Sequence, residues 1–161
     1  PAGDGLPWIA AADASIIVRS RDRGERVIPW DEFFTGPKRT SLAPDEIIEA
    51  IELPDDVPEH QEFAKVGVRN AMVISTASCI VMRGDDGWRV ALGSVAPTPI
   101  RARTAEAMLN ATGEPTDTDL GEFARIVSEE VRPITDHRST EAYRRHASGV
   151  LARRLVERIL R

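Results

Sequence analysis

Cysteine is almost missing from this 161-residue chain; Cys79 is the one example. A single thiol excludes an internal disulfide framework and a cysteine-built zinc or iron–sulfur site. Cys79 stands in the apolar run SCIVM and reads as a small core residue rather than a reactive thiol. A cytoplasmic location is consistent with that usage. Apolar runs approaching the ~20 residues needed to cross a bilayer are also missing, so no membrane span is expected. The opening PAGDGLPW has neither the charged nor the apolar region of a secretory signal, and no Met starts it, which points to a fragment or a processed chain. Nor is there an excess of positive charge: at a net −5, wholesale nucleic-acid binding is not expected. The three histidines, His60, His137 and His146, lack close metal-ligand spacing, and there is no HExxH, EF-hand loop, G-x-S-x-G elbow or P-loop. Asp55–Asp56 and Asp85–Asp86 fall at turns, where aspartate is favoured without any metal.

Apolar residues make up 42% of the chain and charged residues 29%, the balance of a globular domain. Charge is unevenly placed: seven arginines and only two glutamates lie between Arg138 and Arg161. That basic end, on an acidic body, reads either as a docking surface or as a solvated helix face. Residues 15–20 and 25–30 form two short strands around the turn DRG, a hairpin. The following stretch through Glu46 is a loop rich in Gly, Pro and Thr, with Phe33 and Phe34 as its anchors. Residues 47–53 and 61–68 have strand composition. Residues 73–82 and 88–96 flank RGDDG as a second hairpin, and Pro97 and Pro99 then turn the chain out of the sheet.

Helices close the chain. Residues 104–111 make a short one, stopped by Gly113. Within 119–131, Leu120, Phe123, Ala124, Val127 and Val131 share one stripe. Asp119 and Glu122 resemble a capping box at its start, and Pro133 lies beyond its end. In 140–160, Tyr143, Ala147, Leu151, Leu155 and Ile159 recur every four residues, and Arg144, Arg145, Arg153 and Arg158 fall largely elsewhere on the cylinder. Strands first and helices last predict an α+β fold with helices on one face of an antiparallel sheet.

Two groups stand out chemically. Lys65 lies on a predicted strand with few other basic residues near it, and is either an ordinary surface lysine or a cation for an anionic group. Asp136, His137 and Arg138 precede the last helix, with Ser139 or Thr140 near its N-cap. They suggest a salt-bridged corner rather than a catalytic pair, since no nucleophile accompanies them.

Five segments in order then resemble one family. PAGDGLPWIAAADASI is similar to an SPAxD…P-LLALDA stretch, and DEFFTGPKRTSLAPDEIIEAIELP to FF-x-G…T-x-L-x-P-x-E-I-I…I-x-x-P. FAKVGVRNAMVIS resembles F-x-K-x-x-x-R-x-A-x-x-I-x, and RVALGSVAPTPIRARTAEAML resembles R-x-A-x-G-G-V-A-P-x-P-x-R-A-x-x-A-E-x-x-L. PITDHRSTEAYRRHASGVLARRL is similar to P-I-x-D-x-R-x-S-A-x-Y-R-R…L-x-x-R-x-L. Together they resemble the FAD-binding (medium) subunit of the molybdenum hydroxylases, the carbon monoxide dehydrogenase and xanthine dehydrogenase group, in its C-terminal portion.

The resemblance implies a small antiparallel sheet packed on a three-helix bundle over residues 43–161, with residues 1–42 ending an FAD-binding domain. It implies an oxidoreductase subunit whose FAD relays electrons from [2Fe-2S] clusters to an external acceptor. The implied partners are a large subunit with the molybdenum cofactor and a small [2Fe-2S] subunit. Asp4, Ile47, Ile48 and Lys65 occupy positions that contact or lie near the flavin in that family. The family's glycine-rich loops, of the A-G-G-T/H and T-x-G-G-N types, have no counterpart in these residues, so the chain alone is expected to retain FAD poorly and to be inactive. Ser94 stands where relatives often carry Gly. The competing expectation is a non-enzymatic α+β interaction module that uses its Arg-rich last helix.

Overall fold

The structure is a computed structural model that describes residues 2–69 and 73–161. Part of the F-x-K…R-x-A segment, residues 70–72, therefore lies outside the described residues.

The first part begins with helix α1 (Gly5–Ala11), followed by the antiparallel strands β1 (Ser15–Ser20) and β2 (Gly24–Pro29). The turn joining them needs Gly24, whose φ of +77° suits a residue without a Cβ. The expected loop carries structure of its own: a single helical turn α2 (Trp30–Phe33) and a small hairpin of β3 (Phe34–Gly36) and β4 (Arg39–Thr40). Phe33 is buried and meets Phe34 edge-on, with centroids 5.1 Å apart. Strand β5 (Glu46–Glu52) then pairs antiparallel with β1, giving the order β2-β1-β5.

That pairing moves a boundary. The division at residues 42/43 falls inside the first unit, because β5 completes its sheet. Backbone hydrogen bonding decides this, and the composition of 47–53 says only that the segment is a strand, not which strand it joins. The chain leaves the first sheet between Glu52 and His60.

The second part is a four-stranded antiparallel sheet in the order β6-β7-β8-β9: β6 (His60–Val66), β7 (Ala77–Gly84), β8 (Gly87–Gly93) and β9 (Ile100–Arg101). Helices α3 (Arg103–Thr112), α4 (Asp117–Glu130) and α5 (Glu141–Ile159) pack on one face. Cys79, Val81, Val90 and Leu92 point to that face and share a core with Leu109, Phe123, Val127, Leu151 and Leu155. Ile80, Met82 and Ala91 point to the other face and pack with Ile9, Ala10, Val18 and Phe33 of the first part. The central strands are thus covered on both sides, which explains why SCIVM and WRVAL are continuous apolar runs instead of alternating ones. The α+β architecture follows the strand-then-helix reading, with the second face closed by the first part of the chain.

Two helix details differ from the sequence reading. The capping box of α4 is Thr116 with Asp119, three residues earlier than expected: the Asp119 amide donates to Thr116 Oγ1 at 3.3 Å, and the Thr116 amide to the Asp119 carboxylate at 2.8 Å. On α5 the buried face runs through Arg144 rather than Tyr143, which is 47% exposed. Gly149 lets α4 and α5 approach closely; a Cβ there would sit 2.4 Å from the Ala124 carbonyl oxygen.

Candidate functional site

Asp4 occupies the N-cap position of α1, where an aspartate ordinarily accepts from the helix's own free amides. Here it caps nothing. Its carboxylate turns toward the second sheet and accepts from Lys65 Nζ at 2.5 Å and from the Ser75 hydroxyl at 2.5 Å. Lys65 also donates to the Val73 carbonyl at 3.2 Å. Burial raises the Asp4 pKa, but the Lys65 and Ser75 hydrogen bonds and the Lys65 charge outweigh it and hold the carboxyl below its ordinary value.

Strand alternation sets the directions of these side chains. On β6, Ala64 and Val66 pack against the helix-side core, so Phe63 and Lys65 project from the opposite face, beside α1. Ser75 is buried, whereas the Lys65 and Asp4 side chains stay partly open to solvent, and Phe63 is 40% exposed. A helix start that gives up its own cap for a lysine on β6 and a serine just before β7 is a local rule broken, as happens at functional sites.

Ile47 and Ile48 lie on β5, in the other sheet, opposite Arg19 and Val18 of β1. They are 67% and 52% exposed, which rules out plain core packing for either. No hydrogen bond or shared core among the described residues joins them to Asp4 and Lys65. Being consecutive on the strand, they point to opposite faces of the sheet, Ile48 to the side of Val18 and Ile47 to the side of Arg19; Ile51, Leu53 and Val27 are exposed as well. The structure therefore unites Asp4 with Lys65, and it leaves Ile47 and Ile48 apart from them, exposed on opposite faces of β5. Sequence reasoning missed Ser75; its signal, a serine in the polar run STAS at the head of an apolar strand, has no spacing that marks it.

A second ionic cluster fastens the two parts of the chain. Arg101 and Glu106, both nearly buried, pair at 2.5 Å, and Glu106 also accepts the Val90 amide at 2.7 Å. Arg101 reaches Asp13, at the end of the α1 turn, at 2.8 Å, and Trp30 Nε1 donates to the same aspartate at 3.2 Å. The segment RARTAE is thus a structural seam.

The expected corner at the last helix is present and deeper than foreseen. Asp136 accepts from the Arg138 amide at 2.9 Å and from the Arg138 guanidinium, and Arg144 reaches it at 2.7 Å. Burial works against charge on Asp136, yet the Arg138 amide and guanidinium, Arg144 and the Ser139 amide together hold the carboxyl well below the usual range. Thr140 caps α5 by accepting from the Tyr143 amide. The other arginines of α5 are largely engaged within the chain: Arg145 with Glu141, Arg153 with Asp117 and Glu157, and Arg158 with Glu62. An Arg-rich docking helix is weakened accordingly. Cys79 is buried, and burial pushes its thiol pKa upward. Among the described residues no group of three or more His, Cys, Asp or Glu is placed to hold a metal, and no helix is long and apolar enough to cross a membrane.

Comparison with known proteins accounts for this layout. Residues 60–159 match the model of the CO dehydrogenase flavoprotein C-terminal domain, and residues 1–56 match that of the FAD binding domain in molybdopterin dehydrogenase. The chain belongs to the CO dehydrogenase flavoprotein C-terminal domain family. The two matches meet where the chain passes between the sheets. A xanthine dehydrogenase FAD-binding subunit of Escherichia coli O157:H7 is 34% identical over 89% of this chain and 51% of its own length. Caffeine dehydrogenase subunit beta of Pseudomonas sp. (strain CBB1) is 30% identical over 97% of this chain and 55% of its own. Among solved structures, carbon monoxide dehydrogenase of Hydrogenophaga pseudoflava superposes with a TM-score of 0.83 at 28% identity, over 98% of this chain and 56% of that one. The chain spans about half the length of the relatives it matches.

The residues present suit part of a flavin's needs. A partly open cation–carboxylate pair offers polar contacts, and the edge strand β5 carries exposed isoleucines; a glycine-rich cradle for the pyrophosphate is not encoded in these residues.

Proposed function

We propose that this chain is part of the FAD-bearing subunit of a cytoplasmic molybdenum hydroxylase, an oxidoreductase in which FAD passes electrons from [2Fe-2S] clusters to an external acceptor. When bound, FAD supplies the redox chemistry, and the protein supplies binding, orientation and charge. In this reading Asp4 and Lys65 make the polar contacts, and Ile47 and Ile48, on the edge strand β5, make the apolar ones. A molybdenum-cofactor subunit and a [2Fe-2S] subunit complete the enzyme.

The observation that carries the reading is the Asp4–Lys65 pair: two charges 61 positions apart, one from each matched segment, meet at the junction of the two parts. The test is direct. Full-length subunit, purified and freed of small molecules, should hold equimolar FAD and show its visible absorption. Colourless protein that remains indifferent to added FAD would overturn the proposal.

A further inference from the structure

Arg144 is an arginine where the helix pattern calls for an apolar residue. It is 2% exposed, on the inward face of α5. One terminal nitrogen donates both to the Thr76 carbonyl at 2.7 Å and to the Ser94 carbonyl at 2.8 Å; the other donates to Asp136 at 2.7 Å. Thr76 immediately precedes β7 and Ser94 immediately follows β8, so the guanidinium clamps the open end of that strand pair. Bridging two carbonyls while facing a carboxylate suits the planar fork of arginine and not a lysine's point charge.

The clamp adjoins the Asp4–Lys65 pair through very few bonds. Thr76 is held from both sides: its amide donates to the Val66 carbonyl at 2.7 Å, one residue past Lys65, and its carbonyl accepts from Arg144. Ser75, the next residue back, directs its hydroxyl to Asp4. A buried ion pair is a costly way to gain stability and is better suited to holding one arrangement.

We propose that Arg144 is a positioning residue for the Asp4–Lys65 pair: by fixing the Thr76 carbonyl it sets the Ser75 hydroxyl against the Asp4 carboxylate. The corner of α5 and the preceding loop thereby govern a site on the far side of the sheet. The consequence for flavin rests on the function proposed above; the positioning itself does not.

The experiment is an NMR titration of the Asp4 side-chain carboxyl in the full-length subunit, comparing wild type with Ser75→Ala, Arg144→Met and the double variant. The wild-type midpoint should lie below the ordinary aspartate value, and each single variant should raise it. The double variant should match Ser75→Ala alone, since Arg144 acts through Ser75. Additive shifts, or an unmoved midpoint in folded Arg144→Met, would overturn the proposal. If Arg144→Met does not fold, Arg144→Lys, which keeps the charge and can reach one carbonyl, replaces it. It should raise the midpoint less than Ser75→Ala does, and a wild-type midpoint would then count against the clamp. A parallel potentiometric titration of FAD-loaded full-length subunit separates the two ideas. A moved Asp4 midpoint with an unmoved flavin potential supports the clamp and rejects the flavin-facing reading of the pair.

Discussion

The ammonium of Lys65 lies 2.5 Å from the carboxylate of Asp4, a residue placed to cap a helix that instead leaves the helix uncapped. Each group offsets the charge of the other, so under the proposed function a flavin placed beside the pair would meet a dipole rather than a bare cation.

Opposite substitutions should therefore act in opposite directions. In full-length, FAD-loaded subunit, Lys65→Ala leaves the carboxylate unbalanced and should lower the flavin reduction potential, whereas Asp4→Asn frees the cation and should raise it. Shifts on the order of 30 mV, about 1.4 kcal/mol for a two-electron couple, are expected. Potentials that move in the same direction, or stay put, would show that the pair is structural.

The seam between the two parts should be costly to break. Arg101 and Glu106 are nearly buried and paired, so Glu106→Ala leaves Arg101 with Asp13 as its remaining partner and the Val90 amide without its acceptor, and should cost about 2–3 kcal/mol in urea unfolding. The double variant Arg101→Met/Glu106→Leu should recover only part of this, because Glu106 also accepts the Val90 amide. A single variant as stable as wild type would contradict the seam.

Acid should reveal the corner at Asp136. Its folded-state pKa is depressed, so the carboxylate contributes stability that is fully present above its unfolded value of about 3.9 and is lost as pH falls below it. Asp136→Asn should be less stable than wild type at pH 7, and the difference should narrow steadily below about pH 4. Thermal melts across that window measure it; a difference independent of pH would remove Asp136 from the acid response.

Ser94 should be better as glycine. Its φ of +64° is one that L side chains adopt at a cost, and its hydroxyl is buried with no partner among the described residues. Ser94→Gly should stabilise the chain by about 1 kcal/mol, raising Tm by roughly 2–4 °C. A lower Tm would mean that the hydroxyl has a partner in solution.

Much of the fold was legible because its signals are local. The hairpin at 15–29, the stripe of Leu120, Phe123, Val127 and Val131, and the Gly-terminated short helix α3 each follow from spacing within a few residues. The misreadings share one physical reason. The partner of β5, the α4 cap at Thr116 and the inward turn of Arg144 depend on groups that arrive from elsewhere, and tertiary packing overrides the local pattern. Arg144 is the clearest case: periodicity places Tyr143 inward, yet the inward surface at that turn is lined by two free carbonyls and a carboxylate, which only a donor can satisfy.

Sequence by itself determined the class of fold, the order of strands and helices, and the family resemblance, because hydrophobic period and ordered motifs are properties of the chain read in one dimension. Only the tertiary structure decided that Asp4 meets Lys65 and Ser75, that Ile47 and Ile48 stay open to solvent, and that Arg144 lies beneath the strands behind them. Those relationships join residues tens of positions apart, and their distances exist only once the two sheets and the helices are packed together.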